Sequence, residues 1–226
     1  MNSMKVADIP YVNRKLKEHY AKAQHAPVIE FMRVQAGSPF RILVATVLSA
    51  RTKDETTSVV VQRLFSQITT PEDLAATPVD MIAEWIFPVG FYRTKAKHLK
   101  SMAQVLLDQY HGEVPKTVDE LCKLPGVGRK TANLVVTAAF DDYGICVDIH
   151  VHRICNRLGL VKTKTPHETE MALRQLLPKR YWKGWNRYVV AFGQTRCTPR
   201  NPACHDCPIR SACDQVGVTT TRKLTA

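Results

Sequence analysis

Residues 124–132 read LPGVGRKTA and connect two segments with helical periodicity. Gly126 and Gly128 let the backbone turn tightly and approach a ligand with no Cβ in the way. The second helix begins near Arg129, where free N–H groups and the positive end of the helix dipole suit a phosphate oxygen. The stretch therefore predicts a helical hairpin whose turn, including Val127, contacts a phosphate. An ordinary corner between two helices is the alternative.

Helical patterns also dominate the rest of the chain. Apolar residues recur at helical spacing in the segments 43–48, 60–64 and 99–106. Thr70 and Thr77 each precede a proline and acidic residues, which is the pattern of an N-cap and a first helical turn. Thr117 stands three residues before a glutamate, the spacing of a capping box. Because alternating strand patterns with hairpin turns are absent from the sequence, we expect an all-α fold.

The composition indicates a polyanionic partner. The chain has 226 residues, enough for one large core or two small ones, and a formal net charge of +12 with a pI near 9.5. This charge favours nucleic acid, with an anionic membrane surface as the alternative. The longest apolar run, 43–50, is far shorter than the roughly twenty residues of a membrane span. No secretory segment is evident, so we expect a cytoplasmic protein, not bound to a membrane, with reduced thiols.

Four of the seven cysteines have the spacing C-x6-C-x2-C-x5-C; they are Cys197, Cys204, Cys207 and Cys213. Four thiolates in one short, proline-rich loop indicate a metal or iron–sulfur site. Zinc usually takes two C-x2-C pairs and only one is present, so a [4Fe–4S] cluster is favoured over zinc. The odd cysteine count disfavours a disulfide framework. The other three cysteines lie in helical or apolar contexts and are predicted to be core thiols.

Three of these features follow one another in an order that resembles the endonuclease III family of DNA base-excision glycosylases. LPGVGRKTA at 124–132 resembles the family's helix–hairpin–helix motif, and VDIHVHR at 147–153 resembles its V-D-x-H-v-x-R segment. The four cysteines repeat its cluster spacing. LSARTKD at 48–54 and GFYRTKA at 90–96 also resemble family segments, so the likeness covers about 40–213.

The resemblance implies two all-α domains that flank a DNA-binding cleft. One is the continuous helix–hairpin–helix domain, 33–142. The other joins 1–32 to 143–226 and carries the [4Fe–4S] cluster. The resemblance further implies a monomer, associated with the nucleoid, that binds double-stranded DNA containing damaged bases or abasic sites.

The resemblance also implies a bifunctional glycosylase with AP-lyase activity, in which Lys130 attacks C1′ of a flipped nucleotide. The resulting Schiff base leads to strand cleavage by β-elimination. Such a reaction needs a neutral amine, and the positive end of a helix dipole disfavours an ammonium ion. By the same resemblance Asp148 is the essential carboxylate, which stabilises charge at C1′ or moves protons. From the residues alone, the alternatives are that Lys130 is a solvated phosphate contact and that Asp148 is only the N-cap of the helix that follows it.

Two further positions are assigned to DNA by resemblance. The loops at Arg51 and Phe91 fill the gap that a flipped nucleotide leaves in the duplex. The family often has glutamine and leucine there, so these departures bear on the preference for the opposite base. A core Phe91 and a surface Arg51 are the alternatives. His150 is expected to help orient Asp148.

Oxidised pyrimidines are the substrates that the family implies. A monofunctional mismatch glycosylase is one alternative, although the nucleophilic lysine is present and the segment 40–50 has no carboxylate. A non-catalytic, redox-sensing DNA-binding protein is the other.

Overall fold

The computed structural model describes residues 6–22 and 37–223, and its regular elements are all helical. The described residues form eleven α-helices: α1 (Ile9–Lys22), α2 (Pro39–Ser49), α3 (Asp54–Phe65), α4 (Pro71–Ala76), α5 (Val79–Ile86), α6 (Tyr92–Tyr110), α7 (Val118–Leu121), α8 (Arg129–Ala139), α9 (Ile149–Leu158), α10 (Pro166–Leu176) and α11 (Trp182–Thr195). Three short 3₁₀ helices accompany them: Val6–Asp8, Lys179–Tyr181 and Arg210–Ala212. No strand occurs in this part of the chain, which confirms the predicted all-α class. None of these helices is both long and apolar enough to cross a membrane.

The helices group into two compact units. One comprises Met1–His25 and Ile145–Ala226, and the other comprises Ala26–Gly144. The sequence-based junction at 32/33 lies outside the described residues. The later junction falls in the non-helical stretch 141–148, close to the 142/143 expected from the sequence.

The core of the continuous unit is built around α2. This helix packs against α3 and α8, while α6 packs against α4 and α5. Its residues 42–48 are all buried, which its nearly unbroken apolar sequence requires. The one hydroxyl among them, on Thr46, donates a hydrogen bond of 2.6 Å to the carbonyl of Ile42, so that burial leaves this donor satisfied.

The core of the discontinuous unit is built around α11, against which α1 and α9 pack. Trp185 and Phe192 are its largest fully buried side chains. Cys146 and Cys155 are buried in this unit, as their apolar contexts predict, and Cys122 is partly buried in the other. Burial raises the pKa of the Cys155 thiol to about 12, so it is protonated at neutral pH and packs as a small apolar group.

The helix starts largely follow the sequence pattern. Thr70 forms a complete capping box with Asp73, and Thr117 accepts the N–H of Glu120. The prediction for Thr77 is wrong by one residue, because α5 begins at Val79 with Pro78 as its N-cap. The Thr77 hydroxyl instead donates 2.7 Å to the carbonyl of Asp73 and so closes the end of α4.

Candidate functional site

The predicted hairpin joins α7 to α8 with its two glycines exposed. Gly126 has φ +79°, and a Cβ there would lie 3.0 Å from the imidazole ring of His98, so the position requires glycine. Gly128 is the N-cap of α8, and a Cβ there would meet no atom within 4 Å. The Val127 side chain is 6% exposed and packs in the core, so only its backbone is available to a ligand.

Arg129 and Lys130 form the first turn of α8, where the backbone N–H groups point out of the helix. The guanidinium of Arg129 donates 3.1 Å to the carboxylate of Asp119, an exposed residue of α7. Lys130 is exposed. The hairpin thus presents a lysine side chain and a helix N-terminus side by side, which is an arrangement suited to an anionic ligand.

Asp148 is the N-cap of α9. Its Oδ1 accepts the backbone N–H of His150 at 2.9 Å and of Val151 at 3.0 Å. Both capping bonds end on the same oxygen, so the cap holds the carboxylate in a fixed orientation at the start of the helix. The His150 Nδ1 accepts a hydrogen bond of 3.1 Å from Arg153, one turn further along α9.

Arg51 and Phe91 are both exposed and both stand in loops, directly after α2 and directly before α6. The expected alternative of a core Phe91 does not hold, since 63% of this residue is exposed. The guanidinium carbon of Arg51 lies 5.5 Å from the centre of the Phe91 ring, so the two predicted DNA-contacting side chains form a cation–π pair.

The four cysteines of the C-terminal loop line one cavity together with apolar residues of α9 and α11, among them Ile154, Leu158 and Phe192. All seven cysteines of the chain are free thiols. The four surround the cavity without meeting at one point, and within residues 6–22 and 37–223 no three His, Cys, Asp or Glu side chains could hold a single metal ion. Four sulfur donors around a common space fit an iron–sulfur cluster, whose cysteines bind separate iron atoms.

Burial raises the pKa of the Cys213 thiol to about 11, and it also raises the pKa values of Cys204 and Cys207. Without a metal these thiols are therefore protonated at neutral pH. Iron binds them as thiolates, so cluster binding releases protons and couples to the folding of the loop.

Two arginines of α9 that sequence reasoning did not connect with this loop hold it in place. Arg157 donates to the Cys197 Sγ at 3.4 Å and to the Thr198 carbonyl at 2.7 Å. Arg153 donates to the Cys197 carbonyl at 2.9 Å. Their spacing of four residues places both on one face of α9.

Two further arginines, one next to the first cysteine and one inside the loop, contact the loop's backbone. Arg196 donates to the Asp206 carbonyl at 2.8 Å, and Arg210 donates to the Cys204 carbonyl at 3.1 Å. Both bonds end on backbone oxygens. The charges of Arg210 and Arg196 also act on the thiols of Cys204 and Cys207, where they oppose the rise in pKa that burial causes. A direct hydrogen bond to a cysteine sulfur comes from Arg157, which lies forty residues before Cys197.

Comparisons with known proteins define the class. Residues 44–179 match the HhH-GPD superfamily of base excision DNA repair proteins, and residues 197–213 match the iron–sulfur binding domain of endonuclease III. The second match begins and ends at the first and last of the four cysteines. The predicted iron–sulfur cofactor is thereby confirmed, over zinc and over disulfides.

The chain belongs to the endonuclease III family. It is 46% identical to endonuclease III of Thermotoga maritima over 176 residues, which are 78% of this chain and 83% of the relative. A solved structure of endonuclease III trapped as a covalent intermediate with DNA aligns with a TM-score of 0.81 and 36% identity, covering 93% of this chain and 96% of that one. A thermostable thymine-DNA glycosylase aligns with a TM-score of 0.78 and 25% identity, over 92% and 96%.

The family fixes the general activity. The protein is a DNA-binding enzyme of base excision repair, a DNA glycosylase with AP-lyase activity, as the sequence predicts.

Proposed function

We propose that the protein excises oxidised pyrimidines from double-stranded DNA with Lys130 as the nucleophile. The observation that carries the assignment is the placement of Lys130, an exposed lysine in the first turn of α8, directly after the glycine hairpin. A duplex whose phosphate is held by the hairpin brings its sugars within reach of this side chain.

The proposed chemistry starts with attack of the neutral Lys130 amine on C1′. The N–C1′ bond forms as the bond between C1′ and the base breaks, and the base anion leaves with one of the two amine protons. The second amine proton moves to the ring oxygen O4′ as the sugar ring opens, which gives a Schiff base. Removal of a C2′ proton then expels the 3′ phosphate by β-elimination, and water releases the lysine.

We assign Asp148 the task of assisting this lysine, either by accepting its proton or by stabilising positive charge at C1′. The fixed position of this carboxylate supports the assignment, because its two capping hydrogen bonds hold it at the start of α9. His150, held by Arg153, borders it on the same helix turn.

Replacing Asp148 separates capping from catalysis. Asparagine caps a helix about as well as aspartate, so Asp148→Asn should keep the thermal stability while the rate of base excision falls by about 10²-fold or more. Asp148→Ala should lose activity equally and in addition about 1 kcal/mol of stability. Single-turnover rates and thermal melts measure both effects. An Asp148→Asn enzyme with the wild-type rate would show that the residue only caps α9.

DNA contacts are proposed at two places in the continuous unit. The exposed turn Gly126–Gly128 and the N–H groups at Arg129 would hold a backbone phosphate, supported by the net charge of +12. The stacked pair of Arg51 and Phe91 would fill the gap left by the flipped nucleotide, which its exposure allows.

We propose Cys197, Cys204, Cys207 and Cys213 as the four ligands of the [4Fe–4S] cluster. Four ligands leave no position for a substrate, so the cluster's contribution is to the structure of the loop. Arg153 and Arg157 connect that loop to α9, the helix that Asp148 caps.

A single chain supplies every residue in this proposal, so we expect a monomer acting on chromosomal DNA in the nucleoid. Mismatched thymine is the second candidate substrate, because a thymine-DNA glycosylase is among the structural relatives.

A panel of duplexes, each with one lesion, tests the substrate. Thymine glycol, dihydrouracil, a G·T mismatch and a bare abasic site would be compared under single-turnover conditions. The proposal predicts excision of the two oxidised or saturated pyrimidines at least tenfold faster than mismatched thymine, the scale that pocket contacts provide. Faster excision of mismatched thymine than of the two damaged pyrimidines would instead assign the protein as a mismatch glycosylase.

A further inference from the structure

Lys95 on α6 is a buried lysine that the assignments above do not use. Only 8% of the residue is exposed. Its Nζ donates to the carbonyls of Leu48 at 2.8 Å and Ala50 at 2.6 Å, and it lies 3.4 Å from the Thr52 Oγ1. The acceptors are the last turn of α2 and the loop that follows it, so Lys95 ties this loop to α6.

Burial lowers the pKa of Lys95 to about 8, while the carbonyls at the C-terminal end of α2 favour its charged form. Burying a charged lysine costs solvation free energy, and proteins tolerate this cost where the N–H groups of the ammonium find hydrogen-bond acceptors. The helical pattern does contain a signal for it, because Lys95 is four residues before the buried Leu99 and so falls on the apolar face of α6.

The loop tied by Lys95 also touches the loop that carries Phe91. The N–H of Gly90 donates 3.2 Å to the Thr52 Oγ1, the same hydroxyl that Lys95 approaches. A Cβ on Gly90 would lie 2.6 Å from the carbonyl oxygen of Arg51. The two loops therefore meet backbone to backbone, and only glycine permits this approach.

The two side chains at this junction have unusual backbones. Arg51 has φ +55° and Phe91 has φ +59°, a left-handed conformation that bulky residues rarely adopt. Such strain persists where surrounding contacts enforce it, and it concentrates at functional positions. In this protein the left-handed backbone at both positions accompanies two exposed side chains that stack on each other.

We propose that Lys95 is a positioning residue that locks the Arg51 loop and the Phe91 loop into one rigid unit, so that both side chains enter the duplex together. This inference rests on the proposed function, which assigns Arg51 and Phe91 to the gap left by the flipped nucleotide. Preorganisation of this kind favours damaged sites specifically, because an intact duplex offers no gap to fill.

The experiment measures two affinities, one for a duplex that contains a tetrahydrofuran abasic analogue and one for the same duplex without it. The quantity compared between variants is the first affinity divided by the second, called the affinity ratio below. Lys95→Met keeps the length of the side chain and removes the ammonium group. We expect the ratio to fall roughly tenfold, the scale of coupling between contacting residues. Binding to the intact duplex should weaken only as the loss of one positive charge requires.

Lys100 on the same helix provides a matched control. Its Nζ donates to the carbonyls of Ala75 at 2.6 Å and Thr77 at 2.8 Å, so it closes the end of α4 as Lys95 closes the end of α2. Lys100→Met loses the same charge and the same kind of contact away from the two loops. It should lower thermal stability while the affinity ratio stays at the wild-type value.

A double-variant cycle with Phe91→Ala distinguishes positioning from general destabilisation. If Lys95 acts through the loops, Phe91→Ala should cost much less in the Lys95→Met background than in the wild type. Gly90→Ala tests the same coupling of the two loops without changing Lys95, because the added Cβ pushes the loops apart. This variant should also lower the affinity ratio.

A Lys95→Met or Gly90→Ala protein that is folded and keeps the wild-type ratio would overturn the role of Lys95. So would additive losses in the cycle, or an equal loss in Lys100→Met. A wild-type protein with no preference for the abasic duplex is a different result, because it contradicts the proposed function itself and the inference with it.

Discussion

Lys130→Ala should lower the single-turnover rate of strand cleavage at an abasic site by about 10³-fold or more, which is the scale of losing a catalytic nucleophile. The reason is that no other group on the first turn of α8 offers a primary amine. DNA affinity should change far less, because the hairpin glycines and the helix N-terminus remain. Gel-resolved cleavage of an abasic duplex under enzyme excess measures the rate, and a binding titration measures the affinity.

Lys123→Ala is the matched control for this variant. Lys123 is an exposed lysine just before the same hairpin, and its Nζ donates 2.7 Å to the carboxylate of Glu120. Its removal takes away the same charge but should leave the cleavage rate within about twofold, as for an exposed surface pair. A Lys123→Ala protein as impaired as Lys130→Ala would mean that the charge of the hairpin matters and not the amine of Lys130.

Cys213→Ser should remove the broad absorbance near 400 nm and destabilise the discontinuous unit. Ligand binding energy at such a site is folding energy, and a loss of about 3 kcal/mol would lower the Tm by roughly 6–12 °C in a chain of this size. Burial raises the pKa of the Cys213 thiol to about 11, so without iron this thiol is protonated at neutral pH and borders an unfilled space. Absorbance, iron content and thermal melts check this result.

Cys122→Ser is the control, because Cys122 is a partly buried thiol of the continuous unit and lies outside the cysteine loop. It should keep the absorbance and the Tm. The cluster's proposed role is structural, so the Cys213→Ser protein that remains folded should still cleave an abasic site at saturating enzyme. A folded Cys213→Ser protein with no chemistry under those conditions would contradict a purely structural role.

Local signals explain what the sequence could predict. The turn at Gly126, the cap at Asp148 and the spacing of the four cysteines each depend on a few adjacent residues, whose geometry the chain itself dictates. The all-α class follows from the same kind of evidence, repeated along the chain. The placement of Thr77 was wrong by one residue because a hydroxyl can close one helix as well as open the next.

Contacts between distant segments explain what the sequence could not predict. The bond from Arg157 to Cys197 spans forty residues, and the bonds from Lys95 to the end of α2 span more than that. Val127 lies in the predicted hairpin turn, yet its side chain is 6% exposed and belongs to the core of the continuous unit. Such positions depend on packing, which periodicity describes only as an apolar face.

The structure shows a contact between the two side chains, Arg51 and Phe91, that differ from the usual residues of the family. The family often has glutamine and leucine at these positions, and here the two replacements stack on each other. The pair is exposed on strained backbones that a buried lysine and a glycine hold together. The stacked pair at the proposed gap therefore consists of larger side chains than glutamine and leucine.

Borohydride trapping on an abasic duplex, followed by proteolysis and mass spectrometry of the adduct, tests the central claim most directly. Reduction makes the Schiff base permanent, so the modified lysine is identified by its peptide. The account predicts one adduct, on Lys130, with yields that vanish in Lys130→Ala and persist in Lys123→Ala. An adduct on another lysine of the wild-type protein, or no adduct at all, would contradict it.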